Sequence, residues 1–155
     1  AIQPTILLHG EASIQVLCRS RQQVILEAWS TDSGKTWSPL RKTELPNPSS
    51  GIDAVKLRDG RYLLVYNHTP RGREVLNLAI SEDGVKWRAA RVLEREAGEF
   101  SYPAMVQTRD GAVHVLYTWN RRRLRHVVLD PARLDGGPIV EGRWPGEGTP
   151  EPGRE

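Results

Sequence analysis

The chain has 155 residues, enough for a domain with its own core, and 38% apolar with 26% charged residues excludes an intrinsically disordered chain. The net charge is only +3, and the basic excess gathers in Arg121, Arg122, Arg123 and Arg125. That patch is too short, and too poor in interleaved aromatics, to point to a nucleic-acid partner.

No apolar run approaches the roughly 20 residues that span a bilayer, so no membrane partner is expected. The chain starts at Ala1 without a signal-like apolar stretch, and reads as processed or cut from something longer. The single cysteine, Cys18, rules out an intrachain disulfide and a cysteine metal cage, and its apolar neighbours predict burial. No His cluster has metal-ligand spacing, so neither a metal nor another cofactor is expected.

Gly and Pro number 14 and 11, which suits a turn-rich all-β protein. In chain order, strands are predicted over residues 3–8, 14–19, 24–29 and 41–45. A second group follows over 52–57, 62–66, 75–80 and 90–93, and a third over 104–107, 113–119 and 124–129. The spacing falls into three units, about 1–46, 47–98 and 99–130. Residues 131–155, rich in Gly, Pro and charge, read as an irregular tail.

Two turn signals repeat at one interval. Ser30-Thr31-Asp32-Ser33-Gly34-Lys35-Thr36-Trp37 is echoed by Ser81-Glu82-Asp83-Gly84-Val85-Lys86-Trp87, with the aspartates 51 residues apart (83 − 32). Arg58-Asp59-Gly60 and Arg109-Asp110-Gly111 keep the same interval of 51 (110 − 59). A period of roughly 40–50 residues is the length of a propeller blade. The fold expected is therefore an all-β propeller with three blades in this chain, the third lacking its fourth strand.

Asp32 and Asp83 are expected to lock their turns by accepting backbone N–H bonds rather than to act on a ligand. Gly34 and Gly84 take a backbone shape that a Cβ opposes, and Trp37 and Trp87 pack between blade elements. In an up-and-down blade these turns lie at one end. The opposite end then collects Gln3, Arg19, Arg21, residues 47–53 and 67–73, Ser101, Tyr102 and residues 119–123. A polar set converging on one channel mouth is where a site is expected.

The Ser-x-Asp-x-Gly-x-Thr-Trp pattern resembles the Asp box of sialidases, and residues 1–130 resemble the C-terminal three blades of a six-bladed BNR-repeat sialidase-like propeller. In sialidases three arginines clamp the substrate carboxylate, a tyrosine is the nucleophile, a glutamate assists it, and an aspartate is the acid/base. The resemblance puts Arg19 at the second clamp arginine. It puts Arg73, or else Arg71, at the third, within Asn67-His68-Thr69-Pro70-Arg71-Gly72-Arg73. Tyr102, in Phe100-Ser101-Tyr102-Pro103, stands at the nucleophile. Gln3 stands where the assisting glutamate is expected, and an amide cannot take the tyrosine proton. Asp53 is the only top-face carboxylate placed to substitute as a catalytic group, or it caps a turn. Asn67, His68 and Trp119 are expected to line the mouth. Arg121 to Arg123 form a hairpin loop on the same face and are expected to point into solvent.

The resemblance implies a glycoside hydrolase acting on an anionic sugar, with a carbohydrate partner and a secreted or periplasmic location. Three blades do not close a ring, so either a homodimer or a missing N-terminal half is expected to complete it. The alternatives are a non-catalytic glycan-binding or assembly module, and a structural fragment without activity of its own.

Overall fold

Runs of β-branched and large apolar residues, cut by Gly, Pro and Asp turns, pair into antiparallel hairpins. The computed structural model describes residues 1–146. Strands β1 (Ile2–Leu8), β2 (Ile14–Arg19), β3 (Val24–Ser30) and β4 (Arg41–Pro46) form the first blade in sequential order. Strands β5 (Asp53–Lys56), β6 (Tyr62–Tyr66), β7 (Val75–Ser81) and β8 (Arg88–Arg95) form the second, and β9 (Phe100–Gln107), β10 (Val113–Trp119) and β11 (Arg123–Leu129) the third. The fold is an all-β propeller arrangement of three blades, the last with three strands. A two-residue strand, β12 (Gly137–Pro138), adds to the free edge of β8.

Burial explains the sequence pattern blade by blade. All five residues of β6, Tyr62 to Tyr66, are buried because the second blade is covered on both faces. One cluster joins blades one and two through Leu7, Leu17, Ile25, Leu45, Leu64 and Tyr66. The other joins blades two and three through Leu63, Val65, Leu78, Phe100, Val115 and Tyr117. Each fully buried Leu or Phe side chain in these seams is worth about 1.5–3 kcal/mol. The end blades alternate instead, as in β1, where Thr5 and Leu7 are buried and Ile6 and Leu8 exposed. Such alternation marks a sheet packed on one side only.

Two strands reach further than the sequence suggests. β9 starts at Phe100 rather than at residue 104, because its ladder to β10 continues past a bulge to pair Ser101 with Thr118 and Phe100 with Trp119. Pro103 is tolerated because β9 is the sheet's inner edge, where a missing N–H leaves no ladder bond unmade. β8 likewise begins at Arg88, its pairing with β7 carried across register shifts.

After Leu129 the chain makes one 3-10 turn (Pro131–Arg133), capped by Asp130, whose Oδ1 accepts from the Ala132 amide at 3.0 Å. Arg61 donates to the carbonyls of Pro131 and Leu134 at 2.9 and 3.1 Å. Beyond β12, Ile139 and Trp144 bury in the seam between blades one and two. Residues 131–146 thus have little regular structure but are docked as a strap across blade two.

The turns at residues 30–37 and 81–87 are each braced by an aspartate. Asp32 Oδ1 accepts from Ser30 Oγ and the Thr36 amide, both at 2.8 Å, and Asp32 Oδ2 from Thr36 Oγ1 at 2.6 Å. Asp83 Oδ1 accepts from the amides of Val85 and Lys86 at 2.8 and 2.7 Å. Trp87 is buried in the seam at 6% exposure, whereas Trp37 is 44% exposed. The expected packing of Trp37 fails because it lies on the outer side of blade one, which no described residue covers.

Candidate functional site

The hairpin turns bearing Asp32, Asp59, Asp83 and Asp110 collect at one end of the blades, so the connections at 20–23, 47–52, 67–74, 96–99 and 120–122 collect at the other. The second end holds the candidate site. Its centre is Tyr102, which has a left-handed φ of +52° and is the extra residue of the β9 bulge. A non-glycine residue there costs about 1–3 kcal/mol and persists only where its surroundings over-determine it. The bulge turns the ring outward, leaving Tyr102 55% exposed although both chain neighbours, Ser101 and Pro103, are buried. Gly51 lies directly beneath, where an added Cβ would stand 3.5 Å from the Tyr102 Cα. Gln3 repeats the device in β1: φ is +51°, between the pairs Ile2–Arg19 and Pro4–Cys18.

Arg73 sits beside Tyr102, its guanidinium carbon 5.7 Å from the ring centroid. Its Nη1 donates to Glu99 Oε1 at 3.1 Å, and Arg121 Nε donates to Glu99 Oε2 at 2.7 Å. Ser101 Oγ donates to the same carboxylate at 3.3 Å. The Arg121 guanidinium above all, with the charge of Arg73 behind it, holds the Glu99 carboxyl below the usual carboxylate range. Glu99 is thus the shared counter-ion of the two guanidinium groups. The backbone fixes its place: Asn120 Oδ1 accepts from the Glu99 amide and the Glu99 carbonyl from the Asn120 amide, both at 2.7 Å.

Arg19 reaches this cluster indirectly. Its Nη1 donates to the Ser49 carbonyl at 2.8 Å, and its buried Nε has no hydrogen-bond partner. The loop it holds carries Gly51, the platform under Tyr102. Arg71 is exposed, and its backbone turns on Thr69, whose hydroxyl donates to the Arg71 carbonyl at 2.7 Å.

Two expected mouth-lining residues, and the candidate catalytic carboxylate Asp53, are built inward. Asn67 is fully buried, donating to the carbonyls of Val75 and Phe100 at 2.6 and 2.8 Å while accepting from Ser50 Oγ. It pins the loops that carry Arg73 and Tyr102 to each other. His68 is 5% exposed, hydrogen-bonded to Tyr66 Oη and to the Gly142 carbonyl, with its ring edge-on to Trp144. Asp53 is likewise engaged: Oδ1 accepts from Thr5 Oγ1 at 3.0 Å and the Ala54 amide at 2.9 Å, Oδ2 from the Met105 amide at 2.7 Å. One carboxylate thus joins the first strands of all three blades. Trp119 stays at the mouth, with the Arg123 guanidinium stacked 4.1 Å over its ring.

The structure therefore brings together Arg73, Tyr102, Glu99, Arg121 and Ser101, with Arg19 one loop away. Sequence reasoning missed Glu99, because its role depends on the arginines that two other loops bring to it. An acidic residue three positions before a top-face tyrosine, in a segment facing two arginine loops, was the available signal. Arg121, expected in solvent, is 76% exposed yet bound to Glu99. Among the described residues no group of three or more His, Cys, Asp or Glu is arranged to hold a metal ion.

The model of the BNR repeat-like domain family matches residues 1–115. The chain belongs to that family. Among solved structures, it is similar to the intramolecular trans-sialidase from Ruminococcus gnavus at 19% identity and a TM-score of 0.73, over 88% of this chain and 33% of that one. A variant of the NanB sialidase from Streptococcus pneumoniae matches at 17% identity and a TM-score of 0.69, over 85% and 24%. A GH43 endo-arabinanase from Bacillus licheniformis matches at 18% identity and 0.60, over 86% and 52%. The chain thus spans a quarter to a third of the sialidase chains, and at these identities the likeness carries the fold. No curated protein sequence matches the chain.

Proposed function

We propose that this BNR repeat-like chain supplies one side of an anionic-sugar site in a sialidase-like propeller, with the site complete only in a closed ring. The observation that carries the reading is the pairing of Arg73 with Tyr102, a guanidinium beside an exposed phenol held outward by a strained bulge. A planar guanidinium suits a carboxylate, and a neutral phenol meets an anionic sugar without the repulsion a carboxylate nucleophile would feel. Arg19, with its unpaired buried Nε, is the second arginine of the clamp. In hydrolysis Tyr102 Oη passes its proton to a base supplied by the residues that complete the ring and bonds to the anomeric carbon. The glycosidic C–O bond breaks as the leaving oxygen takes a proton from an acid on that side; water then adds to the anomeric carbon, and the phenol regains its proton.

A second reading is favoured by Gln3. It shares the Tyr102 backbone geometry, but its amide cannot accept the phenol proton, which supports glycan binding without turnover. Tyr102→Phe separates the two. Loss of sialoside hydrolysis with retained binding supports the enzyme. Absence of turnover in the wild type, with sugar binding equal in both, supports the binding module.

Ring completion is part of the proposal. Ile6, Leu8, Trp37 and Leu40 stand 44–58% exposed on the outer side of blade one, and Val106, Leu116, Leu124 and Val128 39–64% on that of blade three. Apolar faces of that kind favour a covering partner, either a second copy or further blades of a longer chain. Light scattering on a sizing column tests this: a mass of twice 17.4 kDa supports two copies. A clean monomer points to further blades.

A further inference from the structure

Glu99 has no part in the function proposed above, yet its side chain is tethered by three others at the mouth. Its two carboxylate oxygens are gripped by two arginines from different loops, Arg73 on Oε1 and Arg121 on Oε2. That is how a pair of guanidinium groups receives any carboxylate, with one N–H donor directed at each oxygen. The remaining polar contact is the Ser101 hydroxyl. The carboxylate group itself is held only by side chains, and it is 26% exposed, so it can leave without unpairing a strand. The backbone bonds between Glu99 and Asn120 keep the strand start in place when it does.

We propose that Arg73 and Arg121 together form a carboxylate-binding site, and that Glu99 occupies it as an internal place-holder which an acidic ligand must displace. Arg121 thereby becomes a ligand-binding residue, and Glu99 sets the affinity threshold of the mouth. This rests on the anionic-sugar reading only for the identity of the ligand; the place-holder itself is a property of three side chains. The charge balance agrees. Two guanidinium groups around one carboxylate leave a single net positive charge, so a ligand entering while Glu99 stays meets a like charge across the same guanidinium, which weakens it.

The test is a titration of the 155-residue chain followed through the side-chain nitrogen resonances of Arg73 and Arg121. Acetate serves as the bare carboxylate, and N-acetylneuraminic acid as the same group on a sugar. In Glu99→Gln, half-saturation by acetate falls about tenfold below wild type. Glu99→Ala, which leaves no acceptor at all, moves the same way. Adding Arg121→Ala to Glu99→Gln returns acetate binding to the wild-type level or weaker. If the sugar binds these variants more tightly than acetate, the anionic-sugar reading stands as well. If acetate tightens but the sugar does no better, the place-holder stands and the sugar reading falls. Unchanged or weaker acetate binding in both Glu99 variants overturns the place-holder. The preference of the wild type for sugar over acetate then judges the sugar reading separately.

Discussion

Replacing Asp53 by asparagine distinguishes a brace from an acid. In the wild type the carboxylate accepts three hydrogen bonds, from Thr5 of the first blade, Ala54 of the second and Met105 of the third. An asparagine side chain presents one oxygen and one amine, so either the Met105 amide or the Thr5 and Ala54 pair meets a donor instead of an acceptor. A hydrogen bond to a charged group contributes about 1.5–3 kcal/mol, and a buried amide left unpaired adds a penalty of similar size. Because the residue is half-buried, the lower part of that range applies, and Asp53→Asn is expected to cost about 2 kcal/mol. For a chain of this length each kcal/mol moves the thermal midpoint by about 2–4 °C, so the transition falls by about 4–8 °C. Circular dichroism melts of Asp53→Asn, Thr5→Ala and the double variant measure it, the double falling short of the sum by about 0.5–3 kcal/mol because the two share a bond. A midpoint within a degree of wild type, with sugar turnover lost, would refute the brace and restore Asp53 as a catalytic group.

Asp32 carries a pH dependence of known sign. Hydrogen bonds from Thr36 chiefly, and then Ser30, lower its carboxyl to about 2. A depressed native value stabilises the fold above the unfolded carboxyl value of about 3.9, and that contribution disappears as pH falls from about 4 to 2. Carboxyl carbon shifts followed by NMR should place the Asp32 midpoint near 2, and Thr36→Val should raise it. Trp144→Ala tests the docked strap: Trp144 is 6% exposed in the seam between blades one and two. Emptying that space is expected to cost about 3–5 kcal/mol in urea unfolding, whereas a strap lying loosely on the surface gives a change near zero.

The blades were legible because their signals are local. Strands 14–19, 62–66 and 113–119 follow from apolar runs, and the paired turns follow from Ser, Asp and Gly placed at fixed offsets. The direction of side chains at the mouth was not legible, because it depends on which loop folds over which. Asn67 and His68 look like rim residues in sequence, but the loop at 47–52 and the strap containing Gly142 cover them. Asp53 looks available until Thr5 and Met105, 48 and 52 residues away, supply its donors. Glu99 was invisible for the opposite reason, since its meaning lies in the arginines that reach it from two other loops. The bulges at Gln3 and Tyr102, both at left-handed φ, share a following proline, Pro4 and Pro103.

The short strand β12 has a consequence for how the molecule keeps to itself. A free sheet edge is a template on which another chain can grow, and β8, eight residues long, would be such a template. β12 covers the Arg88 and Ala89 end of that edge and stops at Pro138, since a proline offers no N–H to extend the ladder. The other outer edges are guarded by charge instead: Arg41, Lys42 and Glu44 on β4, Arg123 and Arg125 on β11. Those groups discourage indiscriminate strand pairing and aggregation.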